Sequence, residues 1–204
     1  MQPRRRLRSE VQIMTIRIEA ATPPYSQQVQ ETFDRLMPEG LPPLVLFTTL
    51  ARDERLWGRF NKGALLDKGH VTLRQRELVI CRTTALSRSE YEWGVHVSFF
   101  AERARLDERM LVSLVHGTAD DACWSAEDSV LIRACDQLHA SSDIDDALWS
   151  ALRERFTELA LLEVVMLSGF YRTVSCLTNS LRLPLETFAA KFPAKPREHG
   201  ASIV

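Results

Sequence analysis

The sequence predicts a single all-α domain, a bundle of helices joined by short turns. Apolar residues recur at helical spacing from Ser26 almost to Pro184, and no segment alternates apolar and polar residues for more than a few positions. In addition, Ser, Thr or Asp stands before most of the apolar-periodic segments, as expected of helix N-caps. With 204 residues, the chain is long enough to bury a core without disulfides or metals.

Composition excludes several classes of protein. Hydrophobic residues make up 45% and charged residues 26% of the chain, and the net charge is -1, so we expect no nucleic-acid partner. The sequence shows no uninterrupted apolar run of the ~20 residues that span a bilayer, so we expect no membrane partner. None of the four cysteines forms a CxxC pair and we see no secretory signal, which favours reduced core cysteines in the cytoplasm. No metal or organic cofactor is indicated.

The helical signals begin after residues 1–25, which we predict to be a flexible N-terminal tail. Its first 13 residues are expected to be either a mis-called start or a disordered extension. Ser26 caps the helix in QQVQETFDRLM, which follows a Pro-Pro pair. A second proline pair precedes LVLFTTLARD, and ERLWGRFNKGALLDKG continues the helical pattern until Gly69, where we expect it to stop.

The next two helices are predicted to form the centre of the domain. Thr72 and Gln75 have capping-box spacing before LRQRELVICRTTAL. This segment is apolar on nearly all faces, which predicts a buried helix. Ser89 and Glu92 repeat the capping-box spacing before the helix in EYEWGVHVSFF. Further N-cap signals stand before the two helices that follow, at Asp107 and Ser125.

Two more helical segments complete the domain, DIDDALWSALRERF and the long apolar TELALLEVVMLSGFYRTVSCLTNSL. Pro184 is expected to end the last helix, because proline cannot continue it. We therefore predict one helical domain over residues 26–188. Residues 189–204 would be a C-terminal tail, loose from Phe192 onwards.

Ionisable residues stand where these central helices should be apolar. Glu92 and His96 are four residues apart and share a helix face, with Ser89 one turn earlier, and Glu77 lies on the preceding helix. A carboxylate next to an imidazole fixes its tautomer and raises its basicity, which suits a group that transfers protons near neutral pH. The alternative is structural: Ser89 and Glu92 only cap the helix, and His96 is a satisfied core histidine.

Six residues are candidate substrate contacts. Ser89 would hydrogen-bond the substrate or cap the helix. Tyr91 and Trp93 flank Glu92, and core or interface packing is their structural alternative. Tyr171 and Asn179 lie in the apolar final helix, where a structural hydrogen bond is the alternative. Arg82 suits a substrate carboxylate through its bidentate geometry, or it pairs with a carboxylate of the protein.

The string RELVICRTTALSRSEYEWGVHVSFFAERARLDERMLVSL resembles the carboxymuconolactone decarboxylase-like superfamily, which includes alkyl hydroperoxidase D. The segment WSAEDSVLIRACDQLHASSDIDDALWSALRERF is similar to the family's second half, and GFYRTVSCLTNSLRLPLE to its closing helix. The resemblance extends from about Leu41 to Glu186. It implies an all-α fold that assembles as a homotrimer or homohexamer, with the active site on the helices that carry Glu77 and His96.

The resemblance also separates two branches of chemistry. In the peroxidase branch a Glu, a Cys-x-x-Cys pair and a His form the site; Glu77 and His96 match, but Ser89 and Glu92 occupy the cysteine positions. A disulfide-based peroxidase mechanism is therefore disfavoured, because neither residue can form or resolve a sulfenic acid. The decarboxylase branch lacks the cysteine pair and carries a Glu four residues before its His, as Glu92 and His96 do here.

We therefore expect a decarboxylase-type enzyme, a lyase, that performs Glu/His acid–base chemistry on a small organic acid or lactone, by decarboxylation, isomerisation or lactone chemistry. His96 would be the general acid/base, Glu92 its orienter and Glu77 a second proton carrier. Two alternatives stay open. One is a peroxidase that uses a cysteine outside any CxxC pair, such as Cys81, and the other is a non-catalytic oligomer that binds a small molecule.

Overall fold

The computed structural model describes residues 15–195, and helices account for all of their regular secondary structure. The predicted all-α fold class is confirmed. The helices of this part of the chain are α1 Gln27–Leu36, α2 Val45–Leu50, α3 Glu54–Gly63, α4 Leu73–Leu86, α5 Glu90–Phe100, α6 Glu108–His116, α7 Ala126–Ser141, α8 Asp146–Arg153 and α9 Glu158–Leu181. The extension predicted for residues 1–13 lies outside the described residues.

Helix α4 is the centre of the bundle. It packs against α5, α6, α7 and α9, and consecutive residues from Arg76 to Ala85 are buried on all sides of it. One core cluster lies on the side of α4 that carries Val79 and Ile80, and a second lies on the side of Leu78 and Cys81. A helix enclosed in this way can carry charged residues only if each finds a partner, which determines the site described below.

The caps of α4 and α5 differ in one respect. At α4 the capping box is complete, since Thr72 Oγ1 accepts from the Gln75 N–H at 3.2 Å and Gln75 Oε1 accepts from the Thr72 N–H at 2.8 Å. At α5 only Ser89 caps, accepting from the Glu92 N–H at 3.4 Å. The Ser89 N–H already donates to the Thr84 carbonyl at 2.9 Å, so it is not available as a donor to the Glu92 side chain, and the second bond of a capping box does not form. It is free to turn towards His96.

Two helix ends differ from the sequence prediction. Helix α3 ends at Gly63 and not at Gly69, and Leu65 just beyond it adopts a positive φ of 50°. Helix α9 ends at Leu181, where Arg182 forms a left-handed cap with φ 54°. Pro184 follows that cap, so the helix has already stopped when the chain reaches the proline.

The C-terminal segment is packed, whereas we expected a loose tail from Phe192. The Ala190 N–H donates to Ser98 Oγ at 2.9 Å, and the Phe192 N–H donates to Glu90 Oε1 at 2.8 Å. The Phe192 ring packs against Trp93, with 5.2 Å between ring centroids. These contacts hold residues 189–192 along α5, because Trp93 offers an aromatic surface that the proline-rich composition of the tail did not reveal.

Part of the predicted N-terminal tail is also bonded to the bundle. The Arg17 N–H donates to the Leu181 carbonyl at 3.1 Å, and the Ala21 N–H donates to the Thr48 carbonyl at 3.1 Å. Tyr25 packs edge-on against Phe33 of α1. Residues 15–25 therefore cross the ends of α9 and α2.

Helix α9 is the one helix within residues 15–195 that is long and apolar enough to cross a membrane. Length and composition alone are weak grounds, because the core helix of a soluble protein has the same properties. Leu161, Val164 and Leu167 of α9 are buried in the main core cluster against α4. We therefore describe α9 as a core helix of the bundle.

Candidate acid–base site

Glu77, His96 and Glu92 form a continuous line of contacts between α4 and α5. His96 Nδ1 lies 2.8 Å from Glu77 Oε2, and His96 Nε2 lies 3.4 Å from Glu92 Oε1. All three side chains are buried. The structure thus brings together the three residues that the sequence singled out for proton transfer, with the shorter and better hydrogen bond to Glu77 and not to Glu92.

Arg76 extends this line to the far side of Glu77. Its Nε donates to Glu77 Oε1 at 2.9 Å, and its Nη1 donates to the Leu66 carbonyl at 2.9 Å. The guanidinium also lies over the Phe100 ring, 5.2 Å from the centroid. Sequence reasoning missed Arg76, because neighbouring residues on a helix point about 100° apart and their contact depends on how the side chains bend.

The carboxylates determine the charge of His96. Burial lowers the pKa of the imidazole, but the charges of Glu77 and Glu92 and their hydrogen bonds outweigh burial and raise the pKa from 6.5 to about 9. At neutral pH the ring is therefore an imidazolium that donates from both nitrogens. Two cations, Arg76 and His96, then balance two carboxylates, Glu77 and Glu92.

A cavity of about 90 Å³ opens beside Glu92 and His96. The aromatic part of its wall is formed by Phe47, Phe60, Phe99, Phe100, Phe170 and Tyr171. The remainder of the wall is aliphatic, formed by Leu36, Met37, Leu44, Leu66 and Val95. Glu92 and His96 are the ionisable side chains on this wall besides the Tyr171 phenol, so any chemistry in the cavity takes place at these groups.

Glu92 Oε2 is a buried atom that has no hydrogen-bond partner among the described residues. Glu92 is only 6% exposed, so water does not freely replace the missing partner. Leaving such an oxygen unpaired costs free energy, and each such group in a folded protein calls for an explanation. Because Glu92 lines the cavity, a bound molecule is one way to supply the missing donor.

Tyr171 completes the wall around His96. Its ring packs edge-on against the imidazole, with 5.0 Å between centroids, and its hydroxyl donates to the Ala64 carbonyl at 3.4 Å. Burial and the nearby carboxylates of Glu92 and Glu77 raise the pKa of Tyr171 well above its ordinary value, so the phenol stays protonated. Tyr171 is thus the one predicted substrate contact that reaches the cavity.

Ser89, Tyr91 and Trp93 do not line the cavity. Ser89 is fully buried, and its Oγ lies 2.8 Å from Thr178 Oγ1 of α9. The Tyr91 hydroxyl bonds to the Glu186 carboxylate and accepts from the Leu46 N–H at 3.0 Å. Trp93 belongs to the second core cluster. These contacts are structural, and they follow from the positions of the three residues on the sides of α5 that face its neighbours.

Arg82 and Asn179 also have structural partners. Arg82 Nε donates to Asp136 Oδ1 at 2.6 Å, and its Nη1 donates to the Leu114 carbonyl at 2.9 Å, which joins α4 to α7 and α6. Asn179 Nδ2 donates to the Ser87 carbonyl at 2.9 Å, at the end of α4. Arg82 is therefore occupied by the protein's own carboxylate, the alternative that the sequence left open.

Cys81 lies one turn after Glu77 on α4 and is buried. Burial and the charges of Glu77 and Glu92 raise its pKa well above the ordinary value of a thiol. The thiolate is the reactive form of cysteine, and this environment disfavours it. The position therefore argues against peroxidase chemistry at Cys81.

Comparison with known proteins agrees with the family that the sequence resembles. Residues 54–135, which contain Glu77, Glu92 and His96, match the model of the carboxymuconolactone decarboxylase family. Among curated proteins, none matches the chain.

Solved structures share the fold at low sequence identity. An uncharacterized peroxidase-related protein from Silicibacter sp. TM1040 superposes with a TM-score of 0.73 at 14% identity, over 89% of this chain and 100% of that chain. The debrominase Bmp8 superposes with a TM-score of 0.68 at 12% identity, over 85% of this chain and 94% of that chain.

An alkylhydroperoxidase AhpD core protein from Ralstonia eutropha JMP134, an uncharacterized peroxidase-related protein, is a further relative in structure. It superposes with a TM-score of 0.61 at 20% identity, over 79% of this chain and 84% of that chain. At these identities the likeness shows the fold alone. The shared fold and the match of residues 54–135 to the family model both agree with the resemblance of the sequence to the carboxymuconolactone decarboxylase-like superfamily, the group that includes the alkyl hydroperoxidase D-like proteins.

Proposed function

We propose that the protein is an acid–base enzyme that moves a proton on a small organic molecule held in the cavity beside Glu92 and His96. The observation that carries this proposal is the unpartnered Glu92 Oε2, which is buried at the cavity wall while the other oxygen of the same carboxylate faces His96. A buried carboxylate with one oxygen free and one oxygen beside an imidazolium is arranged to accept a proton and pass it on.

The contacts favour an exchange of the roles that the sequence suggested for the two glutamates. Glu77 bonds His96 Nδ1 and Arg76 at once, so it is the residue that orients the imidazole. Glu92 reaches both the cavity and His96 Nε2, so it is the proton carrier. His96 remains the acid–base partner, and Tyr171 fixes the plane of its ring.

The proposed reaction needs no oxidant or metal. Glu92 Oε2 accepts a proton from the substrate, the electron pair of the broken bond stays on the substrate as an enolate or similar anion, and the adjacent imidazolium stabilises the growing negative charge. Glu92 or His96 then returns a proton to a different atom of the substrate, and the overall reaction is an isomerisation. A decarboxylation, the lyase reaction that the family suggests, is the alternative: its substrate would be an organic acid, and the electron pair left when CO₂ departs would take a proton from His96.

The surroundings of the site support this chemistry over the peroxidase alternative. The position of the Cys-x-x-Cys pair is taken by Ser89, which caps α5, and by Glu92. The thiol of Cys81 is buried among carboxylates. We place the enzyme in the cytoplasm, because all four cysteines are free thiols.

Proton exchange in D₂O tests the proposal without a known product. A panel of enolisable lactones, keto acids and neutral ketones is incubated with the protein, and deuterium incorporation is followed by proton NMR. A compound that exchanges with the wild-type protein should exchange about 10²- to 10⁴-fold more slowly with Glu92→Gln and with His96→Gln.

Two matched variants serve as controls. Glu102→Gln removes an exposed carboxylate just beyond α5, and His139→Gln removes a histidine of α7; both should keep the wild-type exchange rate. Wild-type exchange in the Glu92 and His96 variants would contradict the proposal. It would mean that other groups catalyse the exchange, whereas no exchange of any compound with the wild-type protein would leave a protein that binds small molecules without catalysis.

A further inference from the structure

We propose that the cavity selects an uncharged single-ring molecule that carries one hydrogen-bond donor, of which phenol is the simplest example, and that it excludes organic acids. This inference rests on the proposed function only in that it concerns the same site. It departs from the small organic acid that the sequence suggested, and three features of the cavity wall support it.

The first feature is charge. Among the described residues, no lysine or arginine lines the cavity wall, and the Arg76 guanidinium behind Glu77 is bonded to Glu77 and to the Leu66 carbonyl. A carboxylate that entered would face the Glu92 carboxylate, and the one cation on the wall, the His96 imidazolium, already has Glu77 on one ring nitrogen and Glu92 on the other. An ammonium group would reach Glu92 only beside the His96 imidazolium, and it would lose the hydration of its own charge on entering, a cost that a neutral donor avoids. A neutral ligand leaves the existing balance between cations and carboxylates intact.

The second feature is shape. Five phenylalanines and Tyr171 form a large part of the wall, and such surfaces pack favourably against another aromatic ring. The volume of about 90 Å³ is smaller than the cavity of roughly 150 Å³ that holds one benzene in an engineered protein. The cavity therefore has no room for two rings, and a single ring fits only with part of it at the mouth.

The third feature is the unpartnered Glu92 Oε2. Aromatic and aliphatic groups fill the rest of the wall, so this oxygen is the point that can fix the orientation of a ligand. A hydroxyl or ring N–H that donates to it removes the cost of the buried unpaired acceptor. A ligand of the same shape without a donor leaves Glu92 Oε2 unpaired and does not recover this free energy. The site should therefore discriminate strongly between two ligands of equal shape that differ only in the donor.

Four single-ring probes test the inference on the full chain at pH 7 by isothermal titration calorimetry. Phenol and toluene differ only in hydroxyl against methyl, benzoate adds a negative charge, and benzylamine adds a positive charge. We expect phenol to bind at least about tenfold more tightly than each of the other three, as a hydrogen bond to a charged group implies.

Glu92→Gln locates the effect. The variant loses the carboxylate but keeps the size of the side chain, so the preference for phenol over toluene should fall to about threefold or less and benzoate should bind better than to the wild type. Glu102→Gln should behave as the wild type. Equal binding of phenol and toluene, tighter binding of benzoate or benzylamine, or no phenol binding at millimolar concentration would overturn the inference.

The outcomes separate this inference from the proposed function. Preferred phenol binding without proton exchange on any compound of the panel would leave the ligand class standing and remove the enzyme proposal. Glu92-dependent exchange on an organic acid, with no preference for phenol, would do the reverse.

Discussion

At the scale of single residues, the site is a balance between burial and paired charge. His96 and Glu77 are enclosed in the bundle, where an isolated charge would be neutralised, yet each has a charged partner within hydrogen-bond distance or close to it. The balance has consequences for stability as well as for chemistry, because breaking a buried pair leaves its partner charged and alone.

The raised pKa of His96 predicts a pH-dependent stability. Its pKa is about 9 in the folded protein and 6.5 in the unfolded chain. Protonation of His96 therefore stabilises the fold by about 3 kcal/mol below pH 6.5. That contribution should fall as pH rises through 9. Denaturant unfolding of the wild-type protein and His96→Gln between pH 6 and 10 measures it. A stability difference that stays constant over this range would show that the imidazole is not protonated in the fold.

Glu77 should be the most sensitive residue of the site. Glu77→Ala removes the partner of both Arg76 and His96, and we expect the free energy of unfolding to fall by about 3–5 kcal/mol. Loss of the exposed Glu102 carboxylate in Glu102→Gln should change it by less than about 0.5 kcal/mol. Urea titration of both variants gives the comparison, and a loss of under about 1 kcal/mol for Glu77→Ala would mean that water or another group replaces the carboxylate.

At the scale of the elements, local chemistry explains which parts of the fold the sequence revealed. The N-caps at Thr72, Asp107 and Ser125 were predictable because a cap depends on residues three apart. That Glu92 and His96 lie on the same face of α5 was predictable for the same reason, because residues four apart are about one helical turn apart. The bond between Glu77 and His96 joins two helices, so its geometry depends on packing that no local pattern contains.

Gly94 controls how closely the C-terminal segment approaches α5. A Cβ atom at Gly94 would lie 2.1 Å from the Ala190 carbonyl oxygen, too close for any real contact. Gly94→Ala should therefore displace residues 189–192, lower the free energy of unfolding by about 1–3 kcal/mol and speed proteolysis of the C-terminal segment.

Gly58→Ala is the matched control for this prediction. Gly58 lies inside α3, and a Cβ atom there would meet nothing within 4 Å. The substitution should stabilise the protein by up to about 1 kcal/mol, because alanine favours the helix. If Gly94→Ala were equally stabilising, residues 189–192 would be able to move away from α5 without lowering the free energy of unfolding.

At the scale of the whole molecule, α9 presents an apolar surface to the outside. Leu159, Leu162 and Met166 lie on one side of the helix, and Leu162 and Met166 are 63% and 61% exposed. A contiguous exposed apolar surface is typical of a contact between proteins. Self-association into a homotrimer or homohexamer stays a prediction, and this surface is where we expect subunits to meet.

Sedimentation velocity tests the assembly. We expect the wild-type protein to sediment as a trimer or hexamer, and Leu162→Lys combined with Met166→Lys to sediment as a smaller species, because two lysines cannot be buried unpaired in a contact. Leu56→Lys places the same change on an exposed leucine of α3 and should leave the assembly intact. A monomeric wild-type protein would remove the prediction.

The two bonds from the site to the segment after α3 connect the cavity with the surface. Arg76 donates a hydrogen bond to the Leu66 carbonyl, and Tyr171 donates one to the Ala64 carbonyl. The Leu66 side chain forms part of the cavity wall. A ligand that binds only when this segment is docked must, by thermodynamic linkage, also slow its opening. The amide protons of residues 64–71 would then exchange with solvent more slowly as the cavity fills, so that a surface loop reports occupancy of a buried site.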